Sequence, residues 1–325
     1  MCYAMVSGRG LAGAPAAPGV LAYLYNHGGI NNQKMALAGL LLKGIKSGNP
    51  VNLPFIYNRD QRTEEEYVIR LNDVFEVDRI LEVAERHGVV VLTEQPCGER
   101  NGWDYFGEFS DALVQAPNPQ ALDVILDVVA SLKPRIVSSA GFIRMDAFVR
   151  QSLGIDIVVQ LRIEADWRGH SAEIRKLAGE PEGCYLDYLH IMSKVAKTFA
   201  GIRRVYVTAD ENSMPWSKHE IRKACYDTFG IELLWKTDLL PAATVEDLTP
   251  LDLSLIDYEV ARRAPRFVGL SRSSFSNMLG VEMLAATREP VRGHYVYDGP
   301  GDVLIERRDN GFTSCPARAA VATDA

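Results

Sequence analysis

The chain has 325 residues, of which 47% are hydrophobic and 24% charged, and its formal net charge at pH 7 is −7. This composition is that of an ordinary soluble globular protein, long enough to form two domains. The negative charge argues against a nucleic-acid-binding surface, which would need a basic excess. The five cysteines are far apart and form no Cys-x-x-Cys pair, so neither a zinc site nor a disulfide framework is expected.

Residues 1–19 are rich in Ala, Gly and Pro and predict a flexible arm. They lack the order of charge, apolar core and cleavage site that a signal peptide has. No apolar run approaches the roughly 20 residues that a membrane helix needs. We therefore expect no membrane span and a cytoplasmic location.

The first half of the chain predicts an α/β domain over residues 20–150. Apolar runs and helical periodicity predict strands at 20–25, 51–57 and 89–93 and helices at 32–46, 76–87, 119–132 and 145–153. Gly48 and Pro50 are suited to end the first of these helices. Residues 94–118, rich in Gly, Pro and aromatic residues, give no clear element.

The second half predicts another α/β domain over residues 151–290, followed by an extension at 291–325. Predicted strands at 155–162, 203–208, 232–235 and 266–270 alternate with helices at 187–199, 218–229, 253–263 and 275–286. Such alternation is typical of a parallel sheet covered on both faces. The sequence therefore predicts two α/β halves with a cleft between them and a boundary near residues 140–154.

Polar side chains follow three predicted strands of the second half. Arg162 and Asp166 follow the first strand, Asp210 follows the second, and Ser273 and Ser274 follow the last. Ligands of open parallel sheets bind beyond the carboxyl ends of the strands. One guanidinium, two hydroxyls and two carboxylates are what a nucleoside diphosphate needs. A helix that begins at this serine turn would add backbone N–H groups for phosphate.

Plainer interpretations of these residues stay open. Arg162 could form a salt bridge with Glu164 or Asp166, and the serine turn could be an ordinary helix N-cap. Asp257, upstream of the last strand, could accept from a guanine ring, cap a helix or be solvated. Glu164 and Asp166 alone are a weak signal for a metal, and no Asp-x-Asp pair occurs, so no metal site is predicted.

The loop between the first predicted strand and helix is a second candidate. Gly28 and Gly29 would let a ligand approach the backbone, and Asn31 and Asn32 could bind hydroxyl groups. His27 is the histidine next to this loop. The alternatives are a simple glycine turn and a surface histidine without a catalytic role.

Taken together, five segments resemble the GDP-fucose O-fucosyltransferase family, which are inverting glycosyltransferases with two Rossmann-like domains facing a cleft (GT-B). The resemblance covers most of residues 20–285. Residues 28–33 are similar to the family's Gly-x-x-Asn-Gln loop, and residues 160–167 to its His-x-Arg-x-x-x-Asp motif. Residues 267–276 resemble its Ser-Ser-Phe turn. The remaining similarities are to its Phe-Asp-Val-Asp and Val-x-Val-Ala-Thr-Asp segments, at 75–80 and 205–210.

This resemblance implies a GDP-fucose donor site in the second domain, with no cofactor. Arg162 would hold the β-phosphate and the glycosidic oxygen, while Asp166 and Asp257 would serve the nucleoside. The diphosphate would be cradled by hydroxyls and backbone N–H groups of Ser273, Ser274 and Phe275. From the first domain, the sugar or β-phosphate would be covered by Asn31 and Asn32.

The sequence also departs from the family pattern. Gln160 stands where a histidine is common, and the loop at 28–33 carries neither of the family's arginine and glutamate. This leaves no assigned catalytic base. Glu164 and His27 are the candidates, and an oxocarbenium-like path would need only a weak base. The paired cysteines and secretory signal of animal members are absent from the sequence, which suggests a bacterial, cytoplasmic enzyme.

The expected reaction is metal-free transfer of fucose, with inversion, from GDP-β-L-fucose to a glycan or protein hydroxyl. One alternative is a different nucleotide-sugar donor on the same fold. Another is a non-catalytic sugar-nucleotide or glycan-binding protein.

Overall fold

The computed structural model describes residues 18–59, 65–93, 102–114, 119–155, 157–178 and 185–307. The chain forms two compact units. The first contains the described residues up to Ser139 together with Pro250–Leu255 and Val281–Glu289. The second contains Ala140–Thr249, Ile256–Gly280 and the described residues from Pro290. Most of the predicted arm at 1–19, and the predicted extension beyond residue 307, lie outside the described residues.

The described residues of the first unit up to Ser139 form five α-helices and several short strands. The helices are α1 (Ile30–Ser47), α2 (Leu71–Val74), α3 (Val77–Arg86), α4 (Trp103–Val114) and α5 (Pro119–Ser131). The strands are β1 (Val51–Asn52), β2 (Ile56–Arg59), β3 (Glu66–Ile69) and β4 (Val91–Leu92). β1 pairs in parallel with β4, and β2 pairs antiparallel with β3. A short 3-10 helix, Arg135–Ser138, follows α5.

Two predicted strands of this unit are shorter than expected. The run at 20–25 forms isolated bridges and no strand, among them a parallel bridge from Leu21 to Val51, and the run at 51–57 divides into β1 and β2. Both runs are apolar because many of their residues are buried, although little of their backbone is paired in strands. Gly48 ends α1 in the left-handed conformation, with a φ of 70°, as its position predicts.

Close backbone contact joins α1 to α4. A Cβ added at Gly39 of α1 would lie 1.8 Å from the carbonyl oxygen of Tyr105 in α4. The neighbouring α1 residues Met35, Leu37 and Leu40 are fully buried. α4 lies in the segment at 94–118 that gave no clear element from sequence. Its packing against α1 is a tertiary contact that local periodicity does not report.

The second unit is built on a six-stranded sheet. Its strands are β5 (Ile157–Gln160), β6 (Arg204–Thr208), β7 (Glu232–Leu234), β8 (Arg266–Gly269), β9 (His294–Val296) and β10 (Ile305–Glu306). Their spatial order is β10-β9-β8-β5-β6-β7, and all neighbours are parallel except β9 and β10. The strands are nearly continuous apolar runs, as parallel strands buried on both faces require. The predicted α/β class with a parallel sheet is confirmed.

Eight α-helices of the described second half precede, separate or follow these strands along the chain. They are α6 (Ala140–Ala147), α7 (Ala165–Ala178), α8 (Tyr188–Thr198), α9 (Lys218–Phe229), α10 (Lys236–Leu239), α11 (Ala242–Asp247), α12 (Pro250–Arg263) and α13 (Ser274–Thr287). A π-helix, Phe148–Ser152, follows α6. No helix in the described ranges is long and apolar enough to cross a membrane.

The sheet continues past residue 290, where the sequence predicted an extension outside the domain. β9 pairs in parallel with β8, with Phe267 opposite His294, so this part of the chain belongs to the sheet. Gly293 enters β9 with a φ of 72°, and a Cβ there would lie 2.3 Å from the carbonyl oxygen of Pro265. Strands of three and two residues, β9 and β10, are too short for a periodic signal.

Gly39→Ala should destabilise the protein even though alanine favours helix by about 1 kcal/mol over glycine. The added methyl group has no space against α4, and overpacking of this kind typically costs about 1–3 kcal/mol. Gly107→Ala is the matched control, because a Cβ at Gly107 of α4 meets nothing within 4 Å. Urea denaturation of both variants measures the difference. Equal stability of the two variants would contradict the close α1–α4 packing.

Candidate functional site

The carboxyl ends of β5, β6 and β8 bring several predicted residues to one edge of the sheet. Gln160, the last residue of β5, lies opposite Thr208, the last residue of β6. The Gln160 side-chain amide donates to Ser273 Oγ at 3.1 Å, in a buried position. The serine turn is therefore attached to the end of the strand that leads to Arg162, as the sequence predicted.

Arg162 lies between two carboxylates. One guanidinium nitrogen is 3.1 Å from Glu164 Oε2 and the other is 3.0 Å from Asp166 Oδ2. The guanidinium also lies 5.5 Å from the Trp167 ring, and 28% of the Arg162 side chain is exposed. Arg162 thus forms the salt bridges with Glu164 and Asp166 that were the plainer interpretation of the sequence. Burial acts to lower the Arg162 pKa, but the two carboxylates raise it above its ordinary value.

Glu164 holds Arg162 from inside the protein. Its Oε1 accepts the Asp210 N–H at 3.2 Å, and its Oε2 faces Arg162. Burial raises the Glu164 pKa, and the guanidinium opposes that shift. A general base must reach the proton that it takes, whereas both Glu164 oxygens face protein groups. The geometry therefore gives Glu164 a positioning contact.

The other two carboxylates at this edge are nearer to solvent. Asp166 lies in the first turn of α7, accepts the Trp167 N–H at 2.7 Å and is 64% exposed. Asp210 accepts from Ser213 Oγ at 2.7 Å and from the Asn212 N–H at 3.2 Å, which closes the turn after β6. Among the described residues, no group of three or more His, Cys, Asp or Glu is arranged to hold a metal ion.

The amino-terminal end of α13 faces this turn. The Asn277 N–H donates to the Ser273 carbonyl at 2.9 Å, which is the first bond of the helix. The N–H groups of Ser274 and Phe275 therefore have no carbonyl one turn earlier, and they carry the partial positive charge of a helix start. The Phe275 ring packs in the protein, with its centroid 5.0 Å from Tyr258. Of Phe275, the backbone N–H lies at the helix start, whereas the ring is engaged with Tyr258.

Asp298 anchors the same turn and was missed by the sequence analysis. Asp298 accepts the Ser271 N–H at 2.9 Å and the Ser271 hydroxyl at 2.5 Å. Burial raises the Asp298 pKa, and the bonds from Ser271 oppose the shift. The signal was present, because Tyr295–Tyr297 is a short apolar run with a carboxylate after it. It fell in the segment expected to be an extension.

Asp257 is not placed as predicted. It is buried on α12, where its two oxygens accept from the Tyr206 hydroxyl at 2.8 Å and from Lys236 Nζ at 2.6 Å. Burial raises its pKa to about 6, against the opposing effect of Lys236. Asp257 is thus neither a solvated group nor a helix cap, and both of its oxygens already bind protein donors.

Lys236 connects Asp257 to the loop after β6. Its ammonium donates to the Ala209 carbonyl at 2.9 Å and lies 3.4 Å from Glu211 Oε1. Glu164 contacts the same loop from the other side, through the Asp210 N–H. The loop after β6 is therefore held between two buried charged groups, Glu164 and Lys236. Both follow predicted strands, at 155–162 and 232–235, but only Glu164 was named from the sequence.

The glycine loop belongs to the first unit. His27, Gly28, Gly29, Asn31 and Asn32 lie there together, whereas the other predicted site residues lie in the second unit. His27 is exposed, and Asn31 is buried at the start of α1. Asn32 is half-buried. In the described part of the chain, no atom lies within 4 Å of a Cβ built at Gly29, which leaves its backbone approachable.

Local packing explains most of this loop. The Gly28 N–H donates to Asn26 Oδ1 at 2.7 Å, and Gln33 donates to the carbonyls of Gly28 and Tyr57 at 2.9 and 2.8 Å. A Cβ at Gly28 would lie 2.5 Å from Asn32 Cβ, so packing alone requires glycine here. The His27 ring meets the rings of Tyr25 and Tyr57 edge-on, at 4.8 and 5.0 Å.

No protein-family model matches this chain, and no curated protein does. Solved structures do match. POFUT1 in complex with GDP-fucose is similar with a TM-score of 0.52 and 15% identity, over 83% of this chain and 95% of that chain. POFUT1 in complex with GDP is similar with a TM-score of 0.52 and 16% sequence identity, over 83% of this chain and 96% of that chain. At this identity the likeness shows a common fold, which confirms the fold that the resemblance implied.

Lys236→Met should destabilise the protein by about 3–5 kcal/mol, since it leaves the Asp257 carboxylate buried without its cation. Adding Asp257→Asn should recover part of that loss, with a coupling of about 0.5–3 kcal/mol. Lys223→Met, which removes an exposed lysine paired with Asp227, is the control and should change stability by no more than about 0.5 kcal/mol. Thermal and urea unfolding measure these variants together with Asp257→Asn alone, and strictly additive losses in the double variant would contradict the buried network.

Proposed function

We propose that this chain is a glycosyltransferase that moves fucose from GDP-β-L-fucose to a glycan or protein hydroxyl, with inversion and without a metal. The observation that carries the proposal is the hydrogen bond from Gln160 to Ser273. It ties the start of α13 to the strand end that leads to Arg162. The common fold with POFUT1, which has been solved with GDP-fucose, supports this choice of donor.

The reaction requires above all that the negative charge on the leaving GDP be stabilised. As the bond between fucose and the β-phosphate breaks, negative charge accumulates on GDP. A fixed guanidinium and helix-start N–H groups stabilise that charge more in the transition state than in the ground state. Arg162 and the N–H groups of Ser274 and Phe275 would supply them. Buried Glu164 would keep Arg162 in place while the exposed Asp166 gives way to phosphate.

The acceptor oxygen attacks the sugar carbon from the face opposite the leaving GDP, which inverts the configuration. Its proton must pass to a base. Glu164 already contacts Arg162 and the Asp210 N–H. His27 is exposed to solvent, and its ring packs against Tyr25 and Tyr57. We assign proton acceptance to His27 and the positioning of Arg162 to Glu164. The loop residues Gly28, Gly29, Asn31 and Asn32 would contact the sugar or β-phosphate.

GDP-fucose should stabilise the full chain more than GDP-mannose or UDP sugars do in a thermal-shift screen. A ligand at 100 times its dissociation constant adds about 2.7 kcal/mol. Each sugar nucleotide is compared at equal concentration, with GDP alone as the reference. A larger shift with another nucleotide sugar would change the donor, and no shift with any of them would end the proposal.

Arg162→Ala should lower fucosyl transfer or GDP release by on the order of a hundredfold to a thousandfold, the cost of losing one such donor elsewhere. Its melting temperature should also fall, because buried Glu164 loses its cation, so activity is compared well below the melting temperature of either protein. Arg168→Ala removes an exposed arginine of the same helix region, whose guanidinium lies over Tyr185, and should retain activity. Release of GDP is followed by a coupled assay. Near-normal turnover in Arg162→Ala would refute the donor assignment, and GDP-fucose binding without any turnover in the unmodified chain would favour a non-catalytic binding protein.

A further inference from the structure

Trp167 is a third neighbour of the Arg162 guanidinium, beside Glu164 and Asp166. The central carbon of the guanidinium lies over the Trp167 ring, 5.5 Å from its centroid, which is within the roughly 6 Å of a cation–π contact. Trp167 directly follows Asp166 in the first turn of α7, and its ring belongs to the buried core of the second unit. One helix turn therefore presents an exposed carboxylate and a buried aromatic ring to the same cation.

The indole N–H of Trp167 makes no use of its burial. The residue is 5% exposed, yet its Nε1 has no hydrogen-bond partner among the described residues. A buried tryptophan usually finds such a partner, and an unpaired buried N–H costs stability. Leucine or phenylalanine would fill an apolar core without that cost, whereas tryptophan has the aromatic face that attracts cations most strongly. The face of the ring, and not its N–H, is therefore what this position uses.

A contact with an aromatic face differs from a salt bridge in its effect on the charge of Arg162. Glu164 and Asp166 together place two carboxylates on this one guanidinium. A carboxylate that stays bound reduces the attraction that the guanidinium offers to phosphate. The Trp167 ring has no net charge, so it can orient the guanidinium without neutralising it.

We infer that Trp167 is a positioning residue for Arg162 in the transfer reaction. Once phosphate has replaced the exposed Asp166, Glu164 and Trp167 are the contacts that keep the guanidinium directed at the leaving GDP. Trp167 acts on the reaction through Arg162 and not by touching the substrate. Its effect on rate rests on the proposed function, whereas the contact itself can be measured without any substrate.

Fluorinated tryptophans at position 167 test the effect on rate. Each ring fluorine weakens the negative potential of the aromatic face while barely changing the size of the ring. Turnover of GDP-fucose is measured for the full chain with tryptophan and with analogues carrying one, two or three fluorines. We expect kcat to fall at every step, by about two- to thirtyfold over the series, which is the rate equivalent of one cation–π contact. The KM for GDP-fucose should change less, because the charge on GDP is greatest in the transition state.

Two substitutions separate the aromatic face from the filling of the core. Trp167→Phe and Trp167→Leu both leave space in the core, and both remove the indole N–H. Only phenylalanine keeps an aromatic face for Arg162, so its kcat should exceed that of the leucine variant by about threefold or more. Activity is compared well below the melting temperature of either variant. Equal kcat values in the two variants would overturn the inference.

Trp235 is the matched control for the fluorinated series. It lies in the same core, and the guanidinium over its ring, 5.2 Å from the centroid, is that of Arg222. Arg222 is paired with Asp238 and is not part of the proposed donor site. The same analogues at position 235 should leave kcat unchanged. Constant kcat through the series at 167, or equal losses in the two series, would contradict a role of Trp167 in positioning Arg162.

The contact is measured separately in the ligand-free chain by NMR of the Arg162 side chain, identified by comparison with Arg162→Ala. A guanidinium over an indole ring should have an Nε–H resonance shifted upfield by the ring current, and Trp167→Leu should remove that shift. An ordinary Arg162 resonance would overturn the inference even in an active fucosyltransferase. A shifted resonance in a chain that binds no GDP-fucose would support the contact and refute the proposed function.

Discussion

Parallel pairing of β5 with β6 and β8 is the constraint on which the candidate site depends. It sends all three strands toward the same edge, so that residues separated by more than 100 positions in sequence meet there, as Gln160 and Ser273 do. A parallel sheet also directs helix starts to that edge, which is why the amino-terminal end of α13 lies beside the strand that leads to Arg162. In other parallel α/β sheets, anions bind at this edge.

Buried carboxylates give the site its rigidity, while solvent-facing ones leave it adaptable. Glu164 contacts both Arg162 and the loop after β6, and Asp298 holds the serine turn through two bonds from Ser271. A guanidinium held this way is aimed before the ligand arrives, and such preorganisation is the main source of electrostatic catalysis. Asp166 is different, because an exposed salt bridge contributes little and can be exchanged for phosphate.

Much of the fold was predictable from sequence because buried parallel strands and long amphipathic helices leave a strong local pattern. β6 and α9 were predicted within a residue of their bounds, and the meeting of Ser273 with the end of β5 followed from the rule for parallel sheets. α4 was missed because its packing against α1 through Gly39 is a tertiary contact. Asp257 was misplaced, since a carboxylate on a helix gives no local sign that Lys236 and Tyr206 lie behind it.

A crystal structure of the chain with bound GDP would show directly what Arg162 binds. We expect the β-phosphate to lie within about 3 Å of the Arg162 guanidinium and of the Ser274 and Phe275 N–H groups. We also expect that Asp166 has left Arg162 while Glu164 has not. GDP bound elsewhere, or Arg162 still held by both carboxylates beside an occupied nucleotide site, would contradict the proposed donor site.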